Sequence, residues 1–458
     1  MQKPSGAGVS MNTYSQFDVQ RNGAILNNSP VIVNTQLAGQ ISGNPNFGPN
    51  DAAKIIVNQV NSNNPSQLRG YVEVAGQRTA AVVIANGSGL VVDGGGFINT
   101  SRGILTTGNP LIDANGALSG FNVTQGNITV QGEGFNASNI DQADLIARAV
   151  QVNAAIYGST LNVVAGANHV DYSSLNAMPV AGSGATSGVS IDVAQLGGMY
   201  ANRIMLVGTE NGVGVANAGT LAAQTGNLVL TTSGRLVQSG QMNASGNVAI
   251  NAGSVANSGT IYAQQDTALA SAGTLTNSGT LAAQHDTSIA AGSVASTGLF
   301  GAGIDSDGAP GASGNLSVSV TGLLSATGQN IAPGSITLNG VSLDLSNSQT
   351  SAGAALKLAA TGGNLGLAGA TATAGSTFTA NGRHTRHGQR NTPQHGRDAV
   401  DGRAGHECRR PGHVRQHPER PDGRCAGQPT RPAPGRRTAN GRRRIGGQHS
   451  GSDAFARR

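Results

Sequence analysis

Residues 257–286 read NSGTIYAQQDTALASAGTLTNSGTLAAQHD, and within them the phrase Asn-Ser-Gly-Thr, followed by Ile or Leu, begins at Asn257 and again at Asn277. Related phrases stand on both sides at almost the same interval. An internal repeat with a period of about 20 residues predicts a solenoid, in which each coil buries its apolar face only by stacking on the next coil. The five copies begin at Asn217, Gln238, Asn257, Asn277 and Ser296, and their glycines are Gly219, Gly240, Gly259, Gly279 and Gly298.

The composition favours narrow β coils over a conventional globular core. The 458 residues include 69 glycines and no tryptophan, and only 3% of them are aromatic and 11% charged. Short alternating runs of small apolar and polar residues, separated by Gly and Asn, continue to about residue 380. We therefore predict an all-β fold. Residues 141–150 form the one segment whose apolar spacing favours a short helix, with Asp141 as its N-cap.

The net charge of +6 averages two unlike segments. Residues 1–382 hold 10 Lys and Arg against 16 Asp and Glu, whereas residues 383–458 hold 18 Arg, no Lys and 6 acidic residues. The second segment is either a disordered basic tail, suited to nucleic acid or an anionic surface, or the product of out-of-frame translation. We favour the frameshift, because shifted GC-rich codons encode Arg, Pro, His and Gln but not Lys. Both cysteines, Cys408 and Cys425, lie in this tail, so residues 1–382 have no disulfide.

Candidate catalytic and metal-binding residues lack the partners that the corresponding chemistry requires. No nucleophile motif accompanies either of the two histidine–aspartate pairs, and we interpret both pairs as turn residues. Residues 305–308 lack the further carboxylate of a calcium loop, and residues 93–96 lack the strand-to-helix setting of a phosphate loop. The two cysteines lack the paired spacing of zinc ligands. We therefore predict no enzyme, no cofactor and no metal. The residues concerned are His169 with Asp171, His285 with Asp286, 305–308, 93–96, and Cys408 and Cys425 with His406, His413 and His417.

A β-helical polysaccharide lyase or hydrolase is the alternative from another functional class, because such enzymes cluster carboxylates on one face of their coils. Asp266 and Asp286 do recur one repeat apart, at equivalent places of successive coils. Asn227 and Asn247 occupy the equivalent places in the preceding coils, however. We interpret these four residues as an exposed Asn/Asp ladder at a turn.

Two short motifs stand in the first hundred residues, Asn44-Pro45-Asn46-Phe47 and Asn86-Gly87-Ser88-Gly89-Leu90. The phrases YSQFDV (14–19), PSQLRGYVEV (65–74) and DLIARAVQVN (144–153) surround them. With these phrases, residues 11–205 resemble the secretion domain of filamentous haemagglutinin-like proteins, the exported partners of bacterial two-partner secretion systems. In that family the motifs read Asn-Pro-Asn-Leu and Ile-Ala-Asn-Pro-Asn-Gly-Ile. Phe47 therefore replaces Leu, and Gly87 and Ser88 depart from the second motif, while Asn86, Gly89 and Leu90 match it.

The resemblance implies a right-handed parallel β-helix with small extra-helical β elements. Together with the composition it predicts four segments: a flexible N-terminus (1–10), a secretion domain (11–205), β-helical haemagglutinin-type repeats of about 20 residues (206–382), and an Arg-rich tail (383–458) that is frameshifted and disordered. The two motifs are expected either to contact a transporter directly or to shape corners of the solenoid. The candidate site residues are Asn44, Pro45, Asn46, Phe47, Asn86, Gly87, Gly89 and Leu90.

The implied function is that of an N-terminal fragment of a secreted, cell-surface adhesin of a Gram-negative bacterium. Its first partner would be an outer-membrane β-barrel transporter, and a receptor on a host cell or neighbouring bacterium would bind the full-length protein. The front end of a contact-dependent growth-inhibition toxin is an alternative, because both kinds of protein share this secretion domain. No nucleic-acid partner is expected. Met1–Gly8 lacks the apolar stretch of a signal peptide, and no apolar run reaches the length of a membrane span of roughly 18 residues.

Overall fold

The computed structural model describes residues 1–184, 188–306, 308–311 and 313–384. These residues form a parallel β-solenoid of about 15 turns, and they include no helix. None of them therefore belongs to a helix long and apolar enough to cross a membrane. The predicted all-β solenoid is confirmed. The residues of the predicted tail from 385 onward, with both cysteines, lie outside the described residues.

The strands follow one another with short connections along the whole described chain. The first twenty are β1 Val9–Tyr14, β2 Ala24–Asn27, β3 Val33–Thr35, β4 Gly39–Ile41, β5 Ile55–Val60, β6 Ser66–Leu68, β7 Tyr71–Ala75, β8 Ala80–Asn86, β9 Leu90–Val92, β10 Gly95–Ile98, β11 Thr100–Thr106, β12 Asn109–Ile112, β13 Leu118–Val123, β14 Asn127–Val130, β15 Phe135–Ala147, β16 Ala149–Val152, β17 Ala155–Ala165, β18 Asn168–Asp171, β19 Ala177–Pro179 and β20 Val189–Val193. The others are β21 Gly198–Gly208, β22 Val213–Asn217, β23 Thr220–Ala223, β24 Leu228–Gln238, β25 Gln241–Ala244, β26 Val248–Asn257, β27 Thr260–Ala263, β28 Thr267–Asn277, β29 Thr280–Ala283, β30 Thr287–Ser296, β31 Leu299–Gly301, β32 Leu316–Val320, β33 Leu323–Ala326, β34 Gln329–Ala332, β35 Ile336–Gly340, β36 Ser342–Asp344, β37 Gln349–Ala352, β38 Leu356–Gly366, β39 Thr371–Ala374 and β40 Phe378–His384.

Thirty-four of these strands form one continuous sheet that winds along the solenoid. Each strand pairs in parallel with its counterpart one coil later, as β24 does with β26 and β26 with β28. Because the side chains of a strand alternate between its two faces, every second residue points into the coil. In β24 the burial alternates over all eleven residues, and its exposed positions carry the outer surface. The sequence repeat is therefore one structural coil.

The fifth residue of the repeated phrase lies in the core of the coil. The fifth residues of successive phrases stack directly on one another, and their side chains have no exposed surface. Burying one such aliphatic side chain contributes roughly 1.5–3 kcal/mol to the free energy of folding. The stacked core residues are Leu221, Met242, Ile261, Leu281 and Phe300.

The first residue of the phrase forms a ladder of buried polar side chains. Asn257 Nδ2 donates to Asn277 Oδ1 at 2.7 Å and to the backbone oxygen of Thr280 at 3.0 Å, and Asn277 Nδ2 donates to Ser296 Oγ at 3.1 Å. Asn217 and Gln238 make the same type of contact at 2.9 Å. A buried amide without partners would cost about 1–3 kcal/mol, so each amide N–H group needs its acceptor in the following coil. The ladder thus fixes the register of one coil on another.

The glycine of the phrase is required by the close approach of successive coils. A Cβ atom at Gly279 would lie 2.1 Å from the backbone oxygen of Gly259, and one at Gly259 would lie 2.1 Å from that of Gly240. These glycines are not among the residues with positive φ. Glycine is therefore not required at these positions for a left-handed backbone conformation. The glycine column marks a line along which backbone packs directly on backbone.

The predicted exposed Asn/Asp ladder is present. The side-chain oxygen of Asn247 accepts the backbone N–H of Asp266 at 3.0 Å, and Asp266 accepts that of Asp286 at 3.1 Å. At the start of the ladder, Asn227 accepts the N–H of Asn247 at 2.9 Å. At its other end, Asp286 accepts the N–H of Asn315 at 2.7 Å. Each of these side chains satisfies a backbone donor of the following coil, which accounts for their spacing.

An antiparallel sheet of four strands, β12, β13, β18 and β19, covers one outer face of the earlier coils. It contributes Phe121 and Val170 to a second hydrophobic core, which they share with Ile104, Ile146 and Val164 from the coils. A smaller antiparallel pair, β3 and β4, also lies outside the solenoid sheet. These are the predicted small extra-helical elements.

The helix predicted for residues 141–150 is wrong. The segment forms the end of β15 and the start of β16. Leu145 faces the solenoid core while Ile146 faces the second core, and neither side chain is exposed. A strand buried on both faces is apolar at consecutive positions, and such a run cannot be told from a buried helix by its spacing.

Residues 1–10, expected to be flexible, are hydrogen-bonded to the rest of the chain. The carbonyl oxygen of Met1 accepts from Asn44 Nδ2 and Asn46 Nδ2 at 3.2 and 3.1 Å. Ser5 Oγ donates to the backbone oxygen of Gly116 at 2.7 Å. The N-terminal residues therefore have hydrogen-bond partners in both the first motif and the turn between β12 and β13.

Candidate functional site

The first motif is a tight corner built around a buried asparagine. Asn44 is 4% exposed, and its Nδ2 donates to the backbone oxygen of Asn27 at 3.0 Å as well as to that of Met1. Its Oδ1 accepts the backbone N–H of Asn46 at 3.0 Å, which closes the turn over the exposed Pro45. Phe47 is buried, and its N–H donates to the backbone oxygen of Asn44. The amide of Asn44 is thus fully used inside the protein.

The connection after the first motif is held by an ion pair at the surface. Asp51 accepts the backbone N–H of Gly48 at 2.7 Å and forms a salt bridge of 3.1 Å with Lys3. The hydrogen bond from Gly48, followed by Lys3, lowers the pKa of the Asp51 carboxyl. Because Lys3 is largely exposed, this pair adds little stability, but it fastens the N-terminal residues beside the motif.

The second motif is also a corner with a buried asparagine. Asn86 is 1% exposed; its Nδ2 donates to the backbone oxygen of Asn64 and to Ser66 Oγ, both at 3.0 Å, and its Oδ1 accepts the N–H of Ser88 at 2.9 Å. Gly89 has a φ of +115°, and a Cβ there would lie 2.9 Å from the backbone oxygen of Asn127. Leu90 lies in the core. Asn86 therefore ties its own turn to the preceding coil.

Gly87, where the sequence departs from the expected proline, has open space around it. A Cβ at this position would meet no atom closer than 3.8 Å, so the site would accept a larger residue. Together with Ser88 it lines an open, mostly polar depression of about 330 Å³, beside Asn61, Asn63 and Gln125. The motif thus combines a buried Asn86, which holds the fold, with two partly exposed residues at the surface.

Buried charged side chains that sequence reasoning missed fasten the extra-helical elements to the coils. Glu73 is 3% exposed and accepts the backbone N–H groups of Gln36 and Leu37, at 2.7 and 2.9 Å. These two residues form the turn between β3 and β4. The two N–H groups therefore supply the partners that the buried carboxylate needs, and the contact fixes the hairpin against β7.

A second such contact joins the four-stranded sheet to the coils. Arg102 Nε donates to Asp144 Oδ2 at 2.5 Å, and the Asp144 side chain has no exposed surface. Arg102 Nη1 also donates to the backbone oxygen of Tyr172 at 2.8 Å, and the guanidinium lies 4.7 Å from the Tyr172 ring centroid. Burial raises the pKa of the Tyr172 hydroxyl. Asn162 Nδ2 completes the set by donating to Asp144 at 2.7 Å.

A third contact pairs Arg148 with Glu210, at 3.0 Å, and Arg148 Nη1 also donates to the backbone oxygen of Ser183. Asp144 and Arg148 both belong to the phrase DLIARAVQVN, which carried part of the family resemblance. The sequence did indicate buried charges here, because an acidic and a basic residue stand within one apolar run. Their partners, Arg102 and Glu210, could not be assigned, because they are 42 and 62 residues away in sequence.

The candidate catalytic pairs have structural contacts. Asp171 accepts hydrogen bonds from the backbone and hydroxyl groups of Ser174 and Ser173, which lower the pKa of its carboxyl. Asp286 is a rung of the exposed ladder. Within the part of the chain that the structure describes, no three His, Cys, Asp or Glu side chains are grouped so that they could hold a metal ion. Asp307 of the calcium-like phrase lies outside those residues.

Comparison with known proteins identifies the N-terminal half of the chain. Residues 1–238 match the model of the TPS secretion domain family. The chain is 56% identical over 370 residues to the tRNA nuclease CdiA-2 of Burkholderia pseudomallei (strain 1026b), and 47% identical over 374 residues to the Toxin CdiA of Yersinia pestis. These alignments cover 81% of this chain but only 12% and 11% of those proteins.

A solved structure is also similar. The crystal structure of a filamentous hemagglutinin secretion domain superimposes with a TM-score of 0.51 and 29% sequence identity. The match covers 58% of this chain and 89% of that domain. Both the coils and the sequence of the N-terminal half therefore have counterparts among proteins of known architecture.

Proposed function

Because the chain belongs to the TPS secretion domain family of two-partner secretion exoproteins, we propose that its N-terminal half is recognised by an outer-membrane β-barrel transporter and directs export to the surface of a Gram-negative bacterium. The match over residues 1–238 carries this proposal. The coils after the secretion domain would then be the first part of an exported shaft. We keep 11–205 and 206–382 as the proposed limits of these two segments.

The coil architecture supports export of an unfolded chain. Each coil contacts mainly its neighbours, so folding can begin in the exported coils and continue as further coils emerge. The hydrogen bonds of the buried amide ladder form one coil at a time, and residues 1–382 contain no cysteine that could form a disulfide before export. Folding at the cell surface could supply a driving force without ATP.

For the complete protein we propose the role of a filamentous haemagglutinin-like adhesin, with a receptor on a host cell or a neighbouring bacterium. A contact-dependent growth-inhibition toxin is the second candidate, and the relatives named CdiA favour it. The chain spans about an eighth of those relatives, so the part that would distinguish an adhesin from a toxin lies outside the aligned region. This segment itself is proposed to have no enzymatic activity. The Asn/Asp ladder supports that proposal, because its carboxylates bind backbone N–H groups of the next coil.

Export can be tested directly by expressing this chain behind a secretory signal peptide in a Gram-negative host. We expect the chain to appear in the medium or at the cell surface only when the cognate transporter is co-expressed. Its amount would be compared by immunoblotting of medium, protease-accessible and periplasmic fractions. A variant lacking the family-matched residues 1–238 serves as the control and should stay in the periplasm. Equal release of the intact chain with and without the transporter would contradict the proposal.

A further inference from the structure

Three of the six tyrosines of the chain stand in one outward-facing column of the family-matched coils. The column, here named the tyrosine strip, consists of residues that pair one after another on β7, β10, β15, β17 and β21: Tyr71, Gly96, Asn136, Tyr157 and Tyr200. Neighbouring strands are about 4.8 Å apart, so the strip runs for roughly 19 Å along the solenoid. Only 3% of the residues are aromatic, so composition alone does not predict this concentration of rings on one face.

The rings of the tyrosine strip lie directly against the backbone of the coils, because glycine leaves room for them. A Cβ at Gly96 would lie 2.4 Å from Cε1 of Tyr71, and one at Gly198 would lie 2.7 Å from Cε2 of Tyr200. The rings of Tyr157 and Tyr200 are nearly parallel, with 21° between their planes and 5.5 Å between their centroids. The side chains are thus ordered before any ligand binds, which lowers the entropic cost of binding.

Polar groups on the strip and beside it are available to a ligand. Asn136 Nδ2 donates to the Tyr71 hydroxyl at 3.1 Å, which joins that ring to the other two. Tyr157 is 49% exposed, and within the described residues its hydroxyl and that of Tyr200 have no hydrogen-bond partner. A row of hydroxyl and amide side chains lies two residues further along the same strands and on the same face: Ser138, Ser159 and Asn202. The face therefore offers aromatic rings together with neutral donors and acceptors.

The charges around the tyrosine strip favour an uncharged ligand. The strip and the row beside it contain no charged residue. Glu133, which precedes the strip residue of β15, is paired with Arg21 at 2.9 Å, and Arg203 follows the end of the row. Residues 1–382 as a whole hold more acidic than basic residues, so they repel a polyanion such as nucleic acid. Rings flanked by hydroxyls and amides suit a chain of sugars, which has apolar C–H faces and many hydroxyl groups.

We propose that the tyrosine strip binds an uncharged polysaccharide chain. The strip is one side chain wide and crosses five strands, which matches a thin, linear polymer laid along the solenoid. A protein partner, including a second copy of this chain, would need roughly 800 Å² of contact surface on each side, which so narrow a strip does not supply. Polysaccharide binding would be a property additional to export, and the proposed function does not depend on it.

The test measures binding of three uncharged hexasaccharides, cellohexaose, laminarihexaose and mannohexaose, to the full chain by isothermal titration calorimetry. We expect the wild type to bind at least one of them. The double variant Tyr157→Ala with Tyr200→Ala should bind that sugar on the order of tenfold more weakly, because it loses both stacking faces. Tyr157→Phe with Tyr200→Phe keeps the rings and should retain most of the affinity. Met178→Ala is the matched control and should bind like the wild type, because Met178 is 58% exposed on β19, outside the strip.

The remaining outcomes contradict the proposal in different ways. Absence of binding by the wild type, or equal binding by the wild type and the Ala double variant, would remove the strip as a sugar site and leave the proposed function intact. A loss of heparin binding in the Ala double variant would assign the strip to a polyanion. A loss of self-association in sedimentation would assign it to a second copy. If thermal unfolding shows that the double variant is destabilised, the single variant Tyr157→Ala, at an exposed ring, should still bind several-fold more weakly.

Discussion

At the scale of single residues, asparagine has three separate uses in this protein. Asn44 and Asn86 sit at buried corners and join their turns to neighbouring segments. Asn257 and Asn277 form internal rungs between coils, and Asn247 satisfies a backbone donor at the surface. The same residue type at different positions therefore stabilises turns, register and coil edges, and composition alone does not separate these uses.

The turn formed by the first motif gives a prediction about stability. Replacing Asn44 by Ala removes the donors to Met1 and Asn27 and the side-chain oxygen that closes the turn, so we expect a loss of about 1–3 kcal/mol of stability. Asn46→Ala, in the same turn but exposed, should change stability by less than about 1 kcal/mol. Denaturant unfolding followed by circular dichroism measures both. Equal effects of the two substitutions would show that the buried amide of Asn44 is not the feature that stabilises the turn.

Export of Asn44→Ala, and of the corresponding variant Asn86→Ala in the second motif, bears on the role of these residues in recognition. If Asn44→Ala and Asn86→Ala keep native β circular dichroism and are exported normally, direct recognition of these asparagines is excluded. The assignment of the eight motif residues to recognition or to turns stays a prediction. Their geometry favours turns, because both asparagine amides are already bonded within the chain.

At the scale of elements, the secretion domain differs from the repeats by having strands that are buried on both faces. The strand β15 packs one face on the solenoid core and the other under the four-stranded sheet, whereas β24 leaves its outer face exposed. The covering sheet combines segments on either side of β14–β17, and Arg102 with Asp144 joins it to the coils through Tyr172. Its attachment therefore depends on contacts between distant parts of the chain.

Removing the charge of Asp144 tests that attachment. Asp144→Asn leaves Arg102 largely buried beside a neutral side chain, and breaking a buried ion pair on one side costs about 3–5 kcal/mol. We expect the substitution to accelerate hydrogen exchange in β12, β13, β18 and β19 relative to the wild type. Exchange in the repeats should stay unchanged. Asp141→Asn, exposed on the same strand, is the control and should leave exchange unchanged. Uniform acceleration over all coils would mean that the pair stabilises the whole solenoid and does not specifically hold the covering sheet.

At the scale of the whole molecule, the described coils form a linear series in which most contacts join neighbours. In such a series, the stability of a coil depends on its own interactions and on those with the coils beside it. The repeats follow this pattern closely, because core residue, glycine and amide each stack on their equivalents one coil away. A local defect should therefore remain local.

The glycine column tests this expectation. Gly279→Ala places a Cβ within 2.1 Å of the backbone oxygen of Gly259, so the two coils must separate. We expect faster hydrogen exchange in β26 to β31 and unchanged exchange in β5 to β11. Gly158→Ala is the control, because the nearest atom to its Cβ would be 3.9 Å away. Loss of protection throughout the chain in Gly279→Ala would indicate that the coils unfold as a single cooperative unit.

The amino-acid sequence by itself determined the coil: its period, its strand content, its stacked apolar residues and its exposed ladder. These features are local and periodic, so neighbouring residues contain the information. The tertiary structure alone decided that 141–150 is a strand, that the repeat glycines permit backbone contact, and that Arg102 and Glu210 pair with residues 42 and 62 positions away. It also aligned Tyr71, Tyr157 and Tyr200 on one outer face of the coils. The physical reason is that burial on a second face and pairing of buried charges depend on which distant segments meet, and a periodic pattern does not record that.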